Sequence, residues 1–185
     1  LTFDDSSASQ FRLLPLANGQ LAIDPNSAVG ILETFYAAHP DFGRGGHFAV
    51  NPGRLFNWAP RADESRQTQY AAMKLRWLLD NGYELGNHTL DHVNLAESSR
   101  KEIMYQLATA NDLVLEMTPD ATMNVITLPY GMYPPDEDES LLEGFEYHGR
   151  RYRWDAALLV GANPAPSPFS SAFRPFEIPR IQTFD

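Results

Sequence analysis

Cysteine is absent from the 185-residue chain. Without thiols the chain can form no disulfide, no thiolate metal site and no cysteine nucleophile, so any catalytic site must use other side chains. No run of eighteen apolar residues occurs, and we therefore expect no membrane span. Basic residues are few: 14 Lys and Arg face 24 Asp and Glu, for a net charge of −10. This balance argues against nucleic acid as a partner.

The length and composition predict one domain. A chain of 185 residues with 43% hydrophobic content can bury a single substantial core. We therefore expect residues 1–185 to form one domain. The chain begins at Leu1, inside a segment predicted to be a strand, so we expect that residues upstream were removed or are absent.

Predicted strands alternate with predicted helices. The predicted helix at 64–80 has one face defined by i, i+3 and i+4 spacing. That face starts at Tyr70 and continues through Met73 or Lys74 to Trp77 or Leu78. Alternation of this kind indicates parallel strands around one core, with the functional loops at their carboxyl ends. Strands are predicted at residues 1–4, 46–50, 83–86, 124–128, 156–160 and 176–181, hairpins at 11–23 and 145–154, and helices at 27–38, 64–80 and about 98–116.

Two short segments carry the residues expected to act chemically. Asp4 and Asp5 end the first apolar run, and His88 and His92 follow a later one. One carboxylate and two imidazoles suit a divalent transition metal, most often zinc, and leave positions open for water. The second carboxylate would be free to take a proton from that water. The pattern therefore predicts a metal hydrolase.

Each of these residues also has a simpler interpretation. Acids at a strand end often cap turns, and a histidine pair at this spacing is often a surface accident. The metal interpretation assumes that His88 and His92 share one face of a helical turn, so that both reach one ion. Among the other histidines, His47 is predicted to be a satisfied core residue and His148 to be exposed. The acidic run at 136–139 is predicted to be a solvated loop.

The segments Leu1-Thr2-Phe3-Asp4-Asp5, His88-Thr89-Leu90-Asp91-His92 and Leu128-Pro129-Tyr130-Gly131 resemble the first three motifs of the polysaccharide deacetylases of carbohydrate esterase family four. The resemblance implies an α/β fold, a distorted (β/α) barrel of the polysaccharide deacetylase type. It also implies metal-dependent removal of acetyl groups from an acetylated glycan, with N-acetyl groups as the preferred expectation. A bacterial, extracellular or cell-envelope location follows from the same resemblance.

The resemblance assigns a role to each motif residue. Asp5, His88 and His92 would hold the divalent metal, zinc first, with cobalt, nickel or iron as alternatives. Asp4 would be the general base. Pro129 and Tyr130 would contact the substrate, and the backbone N–H of Tyr130 would hold the oxyanion.

Two departures from the family pattern leave the function open. Thr127 stands where the family's third motif has an arginine, and no histidine follows the last predicted strand, where the family has its general acid. We hypothesise that Arg180 compensates by pairing with Asp4 from a different direction. A non-catalytic carbohydrate- or metal-binding domain of the same fold, or a related metal amidase with a non-sugar substrate, remains an alternative.

Overall fold

A computed structural model describes residues 1–57, 64–161 and 163–183. The strands in chain order are β1 (Thr2–Phe3), β2 (Leu13–Pro15), β3 (Leu21–Ile23), β4 (His47–Val50), β5 (Glu84–Asn87), β6 (Val125–Thr127), β7 (Gly144–Tyr147), β8 (Arg150–Arg153) and β9 (Ala156–Leu158). The α-helices are α1 (Ala28–Ala38), α2 (Ala71–Asp80) and α3 (Arg100–Met117). Among these described helices, none combines the length and apolarity that a bilayer crossing requires.

One parallel sheet organises the fold. Its strand order is β1-β4-β5-β6-β9, and every pairing within it is parallel. The hairpins β2–β3 and β7–β8 are antiparallel and lie outside this sheet. The predicted α/β fold is confirmed as a half-barrel of parallel strands covered by helices. Because the strands are parallel, their carboxyl ends meet at one edge.

Two apolar clusters hold the helices on the sheet. In the first, Phe48 and Leu85 of the sheet pack with Leu75 and Leu78 of α2. The second joins α3 to the other half of the sheet and includes Trp154. Each such fully buried side chain contributes about 1.5–3 kcal/mol relative to an exposed one. Packing on both halves of the sheet gives the strand ends a rigid base.

Three predictions about local structure were wrong in part. The segment predicted as a helix at 64–80 begins as a 3₁₀ helix, Glu64–Tyr70, and only then continues as α2. The last segment pairs with β9 only through an isolated parallel bridge between Ile178 and Leu158, because prolines flank it and cannot donate to a ladder. In the acidic run, Asp138 is buried and accepts a 2.6 Å bond from Arg100.

Lys74 is buried although its helix exposes Met73, the apolar residue beside it. Its Nζ donates to Gln67 Oε1 at 2.8 Å and lies 4.2 Å from the centroid of the Phe56 ring. Burial, with a smaller contribution from the Arg12 cation, lowers the pKa of Lys74 to about 7. The periodicity of the sequence left Met73 and Lys74 equivalent, and tertiary packing selected the lysine.

The buried amine makes stability depend on pH. Above about pH 7 folded Lys74 loses its proton, whereas the unfolded chain keeps it to about pH 10.4, so the unfolded state binds more protons. The free energy of unfolding should therefore rise from about pH 7 to about pH 9, by up to about 1.4 kcal/mol per pH unit. Urea titrations test this: Lys74→Met should flatten the rise and exposed Lys101→Met should keep it. An unchanged slope in Lys74→Met would contradict the assignment.

Candidate functional site

The predicted site residues meet at the carboxyl edge of the sheet. Asp4 and Asp5 directly follow β1, His88 follows β5, and Tyr130 lies just beyond β6. The structure brings Asp5, His88 and His92 together, with one ligand atom from each within 4.8 Å of the others. Among the described residues, this is the one group of three or more His, Asp and Glu side chains arranged to hold a metal ion.

The geometry of the three side chains fits a divalent metal. Asp5 Oδ1 lies 3.4 Å from His88 Nε2 and 3.1 Å from His92 Nε2. That oxygen is buried and has no hydrogen bond of good geometry from the described residues. A buried carboxylate oxygen facing two imidazole nitrogens is the donor set that a tetrahedral or octahedral cation with open positions requires.

The protonation states also suit metal binding. The His88 imidazole, followed by His92 and Arg54, holds the pKa of the Asp5 carboxyl below its ordinary value. Burial, aided by His88, lowers the pKa of His92. A metal needs an ionised carboxylate and neutral imidazoles, and the surroundings favour the first form at Asp5 and the second at His92.

His88 is oriented by a residue that sequence reasoning did not assign to the site. Its Nδ1 lies 2.7 Å from the Thr127 carbonyl oxygen, which can only accept a hydrogen. The proton therefore sits on Nδ1, and the lone pair of Nε2 faces Asp5 and His92. Thr127 occupies the place of the family's arginine, yet it contributes through its backbone. No side-chain signal in the sequence could have indicated this role.

The segment between the two histidines is not a helical turn, so the geometric assumption behind their pairing was wrong. No helix is present at residues 88–92, and Thr89 and His92 have φ of 63° and 60°. Left-handed φ values in residues other than glycine are strained and cluster at functional sites. Of the seven described in this chain, six belong to the site and the loop packed on it: Asp5, Ser6, Phe56, Thr89, His92 and Tyr130.

Asp4 directly precedes Asp5 but does not belong to the group of three candidate metal ligands. Arg180 donates to both of its carboxylate oxygens, through Nη1 at 2.8 Å and Nη2 at 2.7 Å. The guanidinium is itself held by the Leu159 carbonyl at 2.7 Å and by Thr2 Oγ1 at 3.0 Å. The hypothesised contact between Arg180 and Asp4 is therefore present, as a bidentate pair. A bidentate pair fixes the plane of the carboxylate, which a single donor would leave free to rotate.

For the acetate release that the family resemblance predicts, we expect Arg180→Lys to lower the turnover rate by about 10- to 100-fold, because lysine keeps the charge but cannot hold both oxygens of Asp4. Steady-state kinetics at matched metal content measure the effect. Arg174→Lys is the matched control, since Arg174 lies in the same segment and, among the described residues, its side chain bonds the carbonyls of Ser171 and Phe173 and no site residue. Native turnover in Arg180→Lys would show that the orientation of Asp4 does not depend on the pair.

Tyr130 presents both its backbone and its ring to the site. Its φ is 59°, and its ring centroid lies 4.5 Å from that of His92. The side chain is nevertheless 61% exposed, so it forms an open wall beside the metal ligands. Pro129 is buried beneath it. Both residues predicted to contact substrate thus lie at the site, although their roles stay predictions.

Other candidate features lie elsewhere. A cavity of about 750 Å³ opens near the amino-terminal ends of β4 and β5 and is lined by Phe35, Phe42 and Glu84 among others, with none of the site residues. His47 also borders it and is 8% exposed, as predicted for a core residue, but its buried Nε2 has no hydrogen-bond partner among the described residues, so the prediction that its ring is satisfied was wrong in part. Its ring fills space that a side chain at position 86 would occupy, which requires Gly86. His148 is exposed in the β7–β8 turn.

Comparison with known proteins identifies the family. The family model described as polysaccharide deacetylase matches residues 55–147, about half of the chain, including both histidines and the Pro129–Tyr130 segment. The chain belongs to the polysaccharide deacetylase family. The match does not reach Asp4, Asp5 or Arg180, which join the site through the fold. The family resemblance predicted from the three motifs is thereby confirmed.

Individual relatives of the chain are distant. A chitooligosaccharide deacetylase of Sinorhizobium fredii is 31% identical over 62 residues, covering 34% of this chain and 29% of that protein. The Streptococcus pyogenes deacetylase PplD, solved with acetate, superposes with a TM-score of 0.65 at 16% identity, over 98% of this chain and 62% of its own. A family 4 acetyl xylan esterase from Clostridium thermocellum, solved with cobalt, superposes with a TM-score of 0.51 at 15% identity. The superposition covers 88% of this chain and 58% of the esterase.

These likenesses establish the fold. The chain spans less than two thirds of each relative's length. At such identities the two structures show that the half-barrel is shared, and the metal-dependent chemistry of the family agrees with the Asp5, His88 and His92 cluster.

Proposed function

We propose that this chain is a metal-dependent hydrolase that removes acetyl groups from an acetylated glycan, with N-acetyl groups as the primary substrate. One observation carries the proposal: a carboxylate held by an arginine, Asp4, stands next to a metal-binding triad to which it does not belong. A site that only binds a metal has no use for this second, separately oriented carboxylate.

Asp5, His88 and His92 would hold the metal, with zinc proposed first and cobalt, nickel or iron as alternatives. When bound, a divalent ion supplies a Lewis acid that polarises the acetyl carbonyl and makes water a stronger nucleophile at neutral pH. The Asp5 carboxylate and the outward Nε2 atoms of the histidines provide three ligands on one side, which leaves the other side open to water and substrate.

The remaining steps belong to residues of this chain. Asp4 takes the proton as water attacks the acetyl carbon, while Arg180 keeps its carboxylate plane fixed. The Tyr130 N–H donates to the developing oxyanion, and a donor fixed in this way is worth about 2.7–4 kcal/mol of barrier. The bond from the acetyl carbon to the sugar nitrogen then breaks, the amine takes up a proton and acetate leaves. In the absence of the family's terminal histidine, we assign this last protonation to solvent.

The exposed ring of Tyr130 suits a sugar substrate. Sugars present apolar C–H faces together with hydroxyl groups, and an aromatic ring fixed at its base binds such faces with little loss of side-chain entropy. Tyr130 has this form, because its ring packs on His92 and its backbone lies in a defined turn. We therefore place the glycan across Tyr130, with the scissile acetyl group directed toward Asp4 and Asp5.

Acetate release tests the proposal. The chain, loaded with Zn²⁺ or Co²⁺, is incubated with chitin oligomers, poly-N-acetylglucosamine, peptidoglycan and acetylated xylan, alongside a chelator-treated control. Release that depends on metal supports the hydrolase, and the substrate that reacts identifies the glycan. If protein that holds one metal per chain releases nothing, the proposal fails in favour of the binding domain or of an amidase with a non-sugar substrate.

We further propose an extracellular or cell-envelope location in a bacterium, and this proposal rests on the family resemblance and on the proposed substrate. Envelope glycans are the polymers in which acetylated amino sugars are abundant, so the proposed substrate favours the same location. Fractionation of the source cells, with detection of the chain by antibody, tests it. Recovery entirely in the cytoplasmic fraction would contradict the proposal.

A further inference from the structure

The loop after β4 holds the segment between His88 and His92 residue by residue. Four successive carbonyls, at positions 88 to 91, all accept hydrogen bonds from it. Asn51 Nδ2 donates to the carbonyl of His88 and, at 3.0 Å, to that of Thr89. The Gly53 N–H donates to Leu90 at 3.0 Å, and the Arg54 guanidinium donates to Asp91.

The same loop also holds the other side of the metal site. The Asn51 backbone N–H donates to Ser6 Oγ at 3.0 Å, and the Phe56 N–H donates to the Ser6 carbonyl at 2.8 Å. Ser6 directly follows the ligand Asp5, and both have left-handed φ values. Asn51 thus bonds both ligand-bearing segments, one through its side chain and the other through its backbone.

We propose that Asn51 is a positioning residue that sets the spacing between Asp5 and the two histidines before any metal binds. The inference rests on the proposed metal site and adds an element that holds it. Asn51 is fully buried. The orientation of its amide is determined, because the reversed group would place Oδ1 against two carbonyl oxygens.

The sheet alone cannot supply this spacing. β1 ends at Phe3 and β5 ends at Asn87, so Asp5 and His92 both lie beyond the last residues that strand pairing holds. The intervening residues have strained backbone conformations, which persist only when the surrounding structure imposes them. The hydrogen bonds of Asn51 provide that restraint at His88 and Thr89 on one side and at Ser6 on the other.

Metal affinity is the decisive measurement, because it does not depend on turnover. We expect Asn51→Ala to weaken Co²⁺ binding by about 10- to 100-fold in titration calorimetry, as is typical when outer-shell support of a metal site is lost. Leu78→Ala is the control: it opens a cavity in the core under α2, destabilises the fold and touches neither ligand segment. Its Co²⁺ affinity should remain native.

A smaller substitution and a second measurement distinguish loss of positioning from misfolding of the Asn51→Ala protein. Ser6→Ala removes only the hydroxyl that Asn51 N–H bonds, and Co²⁺ affinity should fall in the same direction. In the metal-free Asn51→Ala protein, amides at 88–92 should exchange with solvent faster than in the native chain, while those of α3 stay protected. Native affinity in both variants, or losses no larger than that of Leu78→Ala, would overturn the inference. Failure of the native chain itself to bind Co²⁺ would instead contradict the proposed function.

Discussion

Replacing Asp4 with asparagine is expected to lower the rate of acetate release by about 10²- to 10⁴-fold, the range that a general base contributes. The amide has nearly the same shape as the carboxylate but cannot accept the proton of the attacking water. Because Asp4 is not among the metal ligands, Co²⁺ affinity should stay native in this variant. The combination of lost turnover and retained metal would separate the base from the ligands.

The control for this experiment should remove another carboxylate that an arginine holds. Asp24 is buried and lies 3.7 Å from Arg12 Nε, away from the metal ligands. Asp24→Asn should therefore release acetate at the native rate, even if its stability falls. If Asp4→Asn also keeps native turnover, Asp4 is not the base and the mechanism proposed above is wrong.

Replacing His92 with asparagine is expected to abolish metal-dependent activity by removing a ligand. Loss of an outer-shell partner weakens metal binding by about 10- to 100-fold, so loss of a ligand should cost at least about 100-fold. Asparagine is the appropriate replacement because it tolerates the left-handed backbone, with φ of 60°, at this position. The expected result is a weak Co²⁺ isotherm and acetate release close to that of the chelated native protein.

His148→Asn is the matched control for the ligand variant. His148 also has a left-handed backbone, with φ of 51°, and lies exposed in the β7–β8 turn. The same chemical change at the same backbone conformation should therefore leave Co²⁺ affinity and turnover unchanged. Equal affinity of His92→Asn and the native chain would exclude His92 from the ligand set.

The order of residues along the chain explains why the meeting of the candidate ligands in the fold could be predicted, although their role stays a prediction. Asp4-Asp5 and the segment from His88 to His92 each follow an apolar run, and parallel strands place such positions at one edge. That argument depends on residue type and strand direction alone. The two histidine rings meet even though the assumed helical turn between them is absent, because the left-handed Thr89 and His92 bring them together by another route.

Residues that act through backbone atoms or across long sequence separations were harder to predict from the sequence. The Thr127 carbonyl orients His88, and Asn51 joins two segments that are far apart in the chain, one through its side-chain amide and the other through its backbone N–H. Neither contact leaves a pattern in residue types. Arg180 was predicted as a partner of Asp4 only because the family's arginine and terminal histidine are missing, which left Asp4 without an obvious partner.

The sequence by itself determined the donor set and the fold class, since residue chemistry and the alternation of apolar segments are local properties. Tertiary structure decided the geometry: which of Met73 and Lys74 is buried, how Arg180 meets both oxygens of Asp4, and how the loop after β4 holds Asp5 and His92 beyond the ends of their strands. These outcomes depend on distances between residues remote in the chain, and such distances exist only once the two apolar clusters have packed on the sheet.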